Sequence, residues 1–210
     1  MGTAEEIAAA VADHPLVRAV EPIGSRAPDG FRAATELSDW DFAVSVEDFG
    51  EVAGDLPRLV APYDPVAVQW DPLGDHACYL VVLPGPVKVD LVFPEVARRP
   101  NPPWRVGPDT LPAIDVHFWC WTLGLVAKRR HGMNDRVRGE LLRMSGHLLA
   151  PLGVREVPSS LEEAATRYLR ARDRLETRYG QPVPRRLEGE ILPLVGTAHD
   201  DRYRPSGLSF

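Results

Sequence analysis

Asp39 and Asp41 stand one residue apart at the head of the run Asp-Trp-Asp-Phe-Ala-Val-Ser-Val over 39–46, whose alternation reads as a strand. A period of two puts both carboxylates on one face and Trp40, Phe42 and Val44 on the other. Two such charges at roughly 4 Å, in an effective dielectric near 20, repel by on the order of 4 kcal/mol. The apolar face anchors the strand, so the carboxylates cannot simply splay. Water screens them, a proton is shared, or a divalent cation sits between them. A third acid, Asp90, lies inside the apolar run Val-Lys-Val-Asp-Leu-Val-Phe over 87–93. Alternation puts Lys88, Asp90 and Val92 on one face, and Val87, Val89, Leu91 and Phe93 on the other. An unpaired carboxylate there would be expensive, so Asp90 pairs with Lys88, faces water at an edge, or serves chemistry. Gly24-Ser25 closes an earlier β-branched run, where a glycine lets backbone come close and a serine hydroxyl with exposed amides can hold a phosphate. The same pair also makes an ordinary turn.

The surrounding pattern supplies the elements that must carry these residues. Thr3 as N-cap and Glu6 three residues on predict a helix over 3–13. Strands are expected over 17–23, 39–46, 65–70, 77–83 and 87–93, the last two joined by a Pro84-Gly85-Pro86 turn, with a helix over 49–61 interrupted by Pro57. Five prolines in 97–112 predict a crossover. Helices follow over 114–131, 135–149, 159–179 and 184–194, and the tail from 196 has no clear period. The expectation is α+β: a mixed-sheet core domain over 1–98 and a helical C-terminal domain over 99–210.

Gly24-Ser25, then Asp39-Trp40-Asp41 between hydrophobic neighbours, then Asp90 on a later strand resembles the nucleotidyltransferase superfamily that includes DNA polymerase beta. The resemblance spans roughly 17–93 and implies a nucleotidyltransferase core. It implies that Asp39, Asp41 and Asp90 bind two divalent cations, usually Mg2+, and that Gly24 and Ser25 contact a nucleoside triphosphate. Asp90, nearer the acceptor, would take the acceptor proton. The loop Ser25–Asp39 departs from the small bacterial members, lacking their Ala-Arg-Gly segment and running a few residues longer; no role is assigned to Arg26 or Arg32. With a helical half appended, the chain resembles the aminoglycoside and lincosamide nucleotidyltransferases. These transfer a nucleoside monophosphate to a hydroxyl of a small, often cationic, acceptor, which implies a link to antibiotic resistance.

Composition sets outer bounds. The 210 residues carry a net charge of −6, which disfavours a nucleic-acid partner and suits a cationic acceptor. The longest apolar stretch, 116–127, is too short to span a bilayer, and the first residues lack a signal-peptide pattern, so a cytoplasmic monomer or homodimer is expected. Two cysteines make neither a disulfide framework nor a zinc site. Among 24 basic residues only Lys88 and Lys128 are lysines. Lys128, in the basic end of 114–131, is either a triphosphate contact or a match to the helix C-terminus. Arg136, Arg138 and Arg143 extend that basic patch, and Glu162, Glu163, Asp173 and Glu176 read as a solvated helix face. The aromatics of 114–131 read as core, and Trp70, Asp71, Asp75 and His76 as loop residues or a pocket border. Two alternatives stay open: a protein- or RNA-modifying nucleotidyltransferase of a toxin–antitoxin pair, and a non-catalytic nucleotide-binding protein. Arg143 and His147 stand one residue too close for the Arg-x4–6-His spacing of a ribonuclease partner domain.

Overall fold

The computed structural model describes residues 3–28, 30 and 34–196. The expectations for Arg32 and for the tail beyond 196 lie outside them. Five strands, β1 Val17–Ile23, β2 Trp40–Val46, β3 Ala67–Trp70, β4 His76–Leu83 and β5 Val87–Ala97, form one sheet in the order β1-β2-β5-β4-β3. The β2–β5 pair is parallel and the other three pairs are antiparallel, so the sheet is mixed. Six α-helices accompany it: α1 Ala4–Ala12, α2 Phe49–Val60, α3 Leu111–Arg130, α4 Asn134–Met144, α5 Leu161–Tyr179 and α6 Arg186–Gly196. The fold is α+β, with four helices following the sheet in sequence.

The alternation read from the sequence becomes two cores, one on each face of the sheet. Phe42, Val44, Val89, Leu91 and Phe93 bury against Ile7 and Val11 of α1 and Val52, Leu56 and Val60 of α2. On the opposite face Cys78, Leu80 and Val82 pack under α3 and the helices beyond it. β4 is therefore covered on both sides, which is why it reads as a nearly unbroken apolar run. The polar faces of β2 and β5 look toward α3, so the acids have a roof of helix rather than bulk water.

Several boundaries differ from the sequence-based expectation. Thr3 caps α1 with Glu6 closing a capping box, as expected. The helix α2 runs through Pro57 without a break. The proline forfeits one backbone hydrogen bond, and the burial of Val52, Leu56 and Val60 on one face outweighs that loss. Pro112 is not linker but the second residue of α3, where the missing N–H has no intrahelical partner to lose. The helix expected over 135–149 divides into α4 and a single π-helical turn, Ser145–Leu149. None of the described helices is long and apolar enough to cross a membrane.

Candidate active site

Parallel pairing of β2 with β5 places Asp41 in register with Asp90 and Trp40 with Val89. One step back along both strands, Lys88 meets Asp39. Its Nζ lies 3.0 Å from Asp39 Oδ2 and 2.5 Å from Asp90 Oδ2. On the other side of β2, Ile23 of β1 pairs with Asp41, which delivers Gly24 to the same spot. The three sequence-distant signals thus converge: Asp39, Asp41 and Asp90 each offer an oxygen within 4.8 Å of the others.

Gly24 has φ +71°, and a Cβ built there would sit 2.5 Å from Asp41 Oδ2. Backbone sign and close approach both demand glycine. Ser25 follows in a single 3-10 turn, Gly24–Arg26. Arg26 stacks its guanidinium 4.2 Å over Trp40 and donates to the backbone oxygens of Thr35 and Ser38. Its role is to clamp the long loop against the start of β2. Gly24→Ala is expected to lower stability by about 1–3 kcal/mol, the cost of a strained left-handed residue, and to displace the Asp41 carboxylate. Thermal unfolding checks the first effect, and a structure of the variant, read at Asp41, checks the second.

The charges shape one another. Burial, reinforced by Asp39, holds Asp41 above the ordinary carboxylate range, against the pull of Lys88, Lys128 and Arg26. Burial likewise pushes Asp90 up to about 6, with Lys88 opposing and Asp39 adding to the rise. Burial works against the charged form of Lys88, yet the adjacent Asp39 and Asp90 outweigh it and keep the amine firmly protonated. Asp39 Oδ1 and Asp90 Oδ1 are buried and have no hydrogen-bond partner among the described residues. Hard, partner-free carboxylate oxygens converging on one point are the donor set Mg2+ takes, so these residues fit that ion.

Asp39, Asp90 and Lys88 floor a cavity of about 230 Å³ between the sheet and the helices. From α3 it is lined by His117, Cys120, Trp121, Gly124 and Lys128. Positions 117, 121, 124 and 128 step by four, three and four, one stripe of a helix. Gly124 leaves room for Lys128, whose Nζ lies 3.8 Å from where a Cβ of residue 124 would be. Lys128, expected as a triphosphate contact, is thus in the same cavity as the carboxylates. Glu140 and Arg143 of α4 and Asp71 after β3 close the far side.

A fixed ring system shapes that side. Trp104 Nε1 donates to His117 Nδ1 at 2.9 Å, and His117 stacks on Trp121 at 5.2 Å between centroids. An indole N–H can only donate, so His117 carries its proton on Nε2. Burial, helped by His147, drives its pKa down to about 3, so the ring stays neutral. Trp121 Nε1 in turn donates to Glu140 Oε2 at 3.0 Å.

Other expectations resolve differently. Of the four residues at a possible pocket border, only Asp71 lines the cavity; Trp70 packs against Phe49, Tyr79 and Phe93 on the opposite face of the sheet. Asp75 and His76 are exposed. The basic patch is largely paired: Arg129 binds Glu162, Arg138 binds Asp135 and Arg143 binds Glu140. The acids of α5 are not a free solvated face. Glu163 accepts from Ser159 and Arg167, and Glu176 from the Val183 amide and Arg185. His117, Trp121, Glu140 and Arg143 were not singled out as site residues by the sequence. The signal that could have found the first two was a polar residue recurring at helical spacing with Gly124 and Lys128.

No protein-family model and no curated protein matches the chain. Among solved structures it is similar to an aminoglycoside 6-adenyltransferase from Bacillus subtilis, with 12% identity over 92% of this chain and 98% of that one, at a TM-score of 0.32.

Proposed function

We propose that the chain is a Mg2+-dependent nucleotidyltransferase that moves a nucleoside monophosphate from a nucleoside triphosphate to a hydroxyl of a small molecule. The observation that carries this reading is the clustering of Asp39, Asp41 and Asp90, of which Asp39 and Asp90 have orphaned buried oxygens and line a cavity that also holds Lys128. Nucleotidyl transfer consists mostly of positioning and charge neutralisation, and this is what such a constellation supplies. Bound Mg2+ would neutralise the phosphate oxygens and polarise the reacting phosphorus. In the reaction the acceptor oxygen bonds to the α-phosphorus, the bond to the bridging β-oxygen breaks, and diphosphate leaves. The hydroxyl proton passes to Asp90, whose raised pKa of about 6 suits a base working near neutrality. Lys128 holds the departing phosphates, with Gly24 and Ser25 approaching the triphosphate from the strand side.

The acceptor would sit against α3 and α4. Asp71 favours a cationic group, the Glu140–Arg143 pair offers polar partners to hydroxyls, and neutral His117 offers an N–H to an oxygen. This supports an acceptor of the aminoglycoside or lincosamide kind, ring-shaped, hydroxylated and positively charged. In this reading residues 1–98 bear the carboxylates and residues 99–210 shape the acceptor side.

Thermal unfolding with ATP, GTP, CTP and UTP, each with and without Mg2+, tests the proposal. A donor at about 100 times its dissociation constant adds roughly 2.7 kcal/mol, or several degrees for a chain of this length. The expected result is a magnesium-dependent rise with at least one nucleotide that disappears in Asp39→Asn. No rise with any of the four overturns the reading.

A further inference from the structure

Lys88 is placed as a component of the cluster rather than as a neighbour of it. Its Nζ bridges Asp39 Oδ2 at 3.0 Å and Asp90 Oδ2 at 2.5 Å, and its side chain is only 10% exposed. Each of these two carboxylates is therefore divided: Oδ2 is occupied by the ammonium, and Oδ1 is buried with no partner among the described residues. A pair of divalent ions about 3.5–4 Å apart needs several carboxylate oxygens as hard ligands and a strongly negative site to hold both. Here one oxygen of Asp39 and one of Asp90 already face the Lys88 ammonium, whose positive charge repels a second divalent ion at that place. The unpartnered Asp39 Oδ1 and Asp90 Oδ1, with the Asp41 carboxylate, are left for one ion.

Charge leads to the same count. Three carboxylates with one ammonium carry −2, which one divalent cation cancels. A second divalent ion would leave an excess of +2 in a largely buried site, beside Lys88 and Lys128, before any phosphate arrives. A protonated amine in that position is held by the strand itself and costs no separate binding event. β5 sets it two residues from Asp90, on the same face, so the amine also fixes the direction in which the Asp90 carboxylate points.

We propose that Lys88 is a resident cation standing where a second divalent ion would otherwise be, so that the centre takes one metal ion per chain, with the amine orienting Asp90 toward the acceptor. This rests on the nucleotidyltransferase reading above. It makes Lys88 a positioning residue for the proposed base, and it gives the metal centre a fixed, non-exchangeable half.

Counting bound Mn2+ by electron paramagnetic resonance on the full chain tests it, with Mn2+ alone as the probe. The expected result is one ion per chain with the signal of an isolated Mn2+. Lys88→Met, which keeps an unbranched side chain as far as Cε and removes the charge, is expected to bind two ions, with the broadened signal of a coupled pair. Its unfolding temperature should also become more dependent on Mn2+ than that of the parent chain, since the carboxylates have lost their internal partner. Two coupled ions in the parent chain overturn the inference while leaving the proposed function standing, and that measurement decides the matter even if Lys88→Met fails to fold. A folded Lys88→Met that still binds one ion overturns it as well. No bound Mn2+ in either protein overturns the metal-dependent reading of the site, and this inference with it.

Discussion

Asp90→Asn is expected to lower turnover by about 10²–10⁴-fold, the range over which a positioned general base contributes, while leaving the fold in place. The amide has the volume of the carboxylate and keeps an oxygen for Lys88 Nζ, so the 2.5 Å contact relaxes rather than vanishes. What is lost is the negative charge that can accept the acceptor's proton. Asp90 also supplies the pH dependence. Burial raises its pKa to about 6 against the opposing pull of Lys88, and only the deprotonated form can act as a base or as a ligand. For the parent chain, kcat/KM should therefore fall as pH is lowered through about 6, approaching tenfold per unit, since this parameter reports the free enzyme. In Asp90→Asn the residual rate should lose that acid limb. A pH–rate profile of both proteins, with unfolding midpoints as the control for folding, checks the prediction. A variant that keeps both its rate and its acid limb would show that Asp90 is merely the partner of Lys88.

The candidate site was legible in the sequence where it broke a local pattern. Asp39 and Asp41 showed themselves by facing away from Trp40, Phe42 and Val44, and Asp90 by being an acid in an apolar strand. The structure puts them together through a pairing the sequence does not encode locally. The strands β2 and β5 are parallel and separated by α2, β3 and β4, so the register of Asp41 with Asp90 depends on the whole sheet closing. The pairing of Lys88 with Asp90 that the sequence allows is only one of its two contacts, because the parallel register brings Asp39 within its reach too. The helix α3 hid its cavity-lining stripe for a different reason. It is buried around most of its circumference, with Ile114, Phe118, Trp119, Leu123 and Leu125 all inaccessible, so no polar face marked the line from His117 to Lys128. Glu140 and Arg143 come from another helix altogether, and only the tertiary packing of α4 across α3 gives them a place at the cavity.

Arg172→Leu is expected to destabilise the chain by about 3–5 kcal/mol, the cost of breaking a buried ion pair from one side. Arg172 is 2% exposed and ties three helices together: Nη1 lies 3.1 Å from Asp115 Oδ1 on α3 and 2.6 Å from Glu188 Oε2 on α6, from its own place on α5. Tyr168 donates to the same Asp115 oxygen at 2.6 Å and stacks on Phe118 at 3.8 Å. With the guanidinium gone, Asp115 keeps only the tyrosine hydroxyl. Its pKa, already raised by burial despite Tyr168 and Arg172, would climb further, and the carboxyl would be carried neutral or at a high desolvation cost. Against a typical total of about 5–15 kcal/mol, the loss takes a large share of the stability. Asp115→Asn added to Arg172→Leu should recover part of it, because the amide still accepts from Tyr168 without a charge to leave stranded. The urea midpoints of the single and double variants measure both numbers. Asp115 and His117 are two residues apart on α3, about 200° around the helix, so this network lies on the side of α3 turned away from the cavity. Well below its unfolding temperature, Arg172→Leu should therefore keep a magnesium-dependent nucleotide response. A loss of less than about 1 kcal/mol would mean that water reaches the cluster and the charges are not truly buried. Loss of the nucleotide response in the still-folded variant would mean that α3 carries strain from this network through to the line of His117, Trp121 and Lys128.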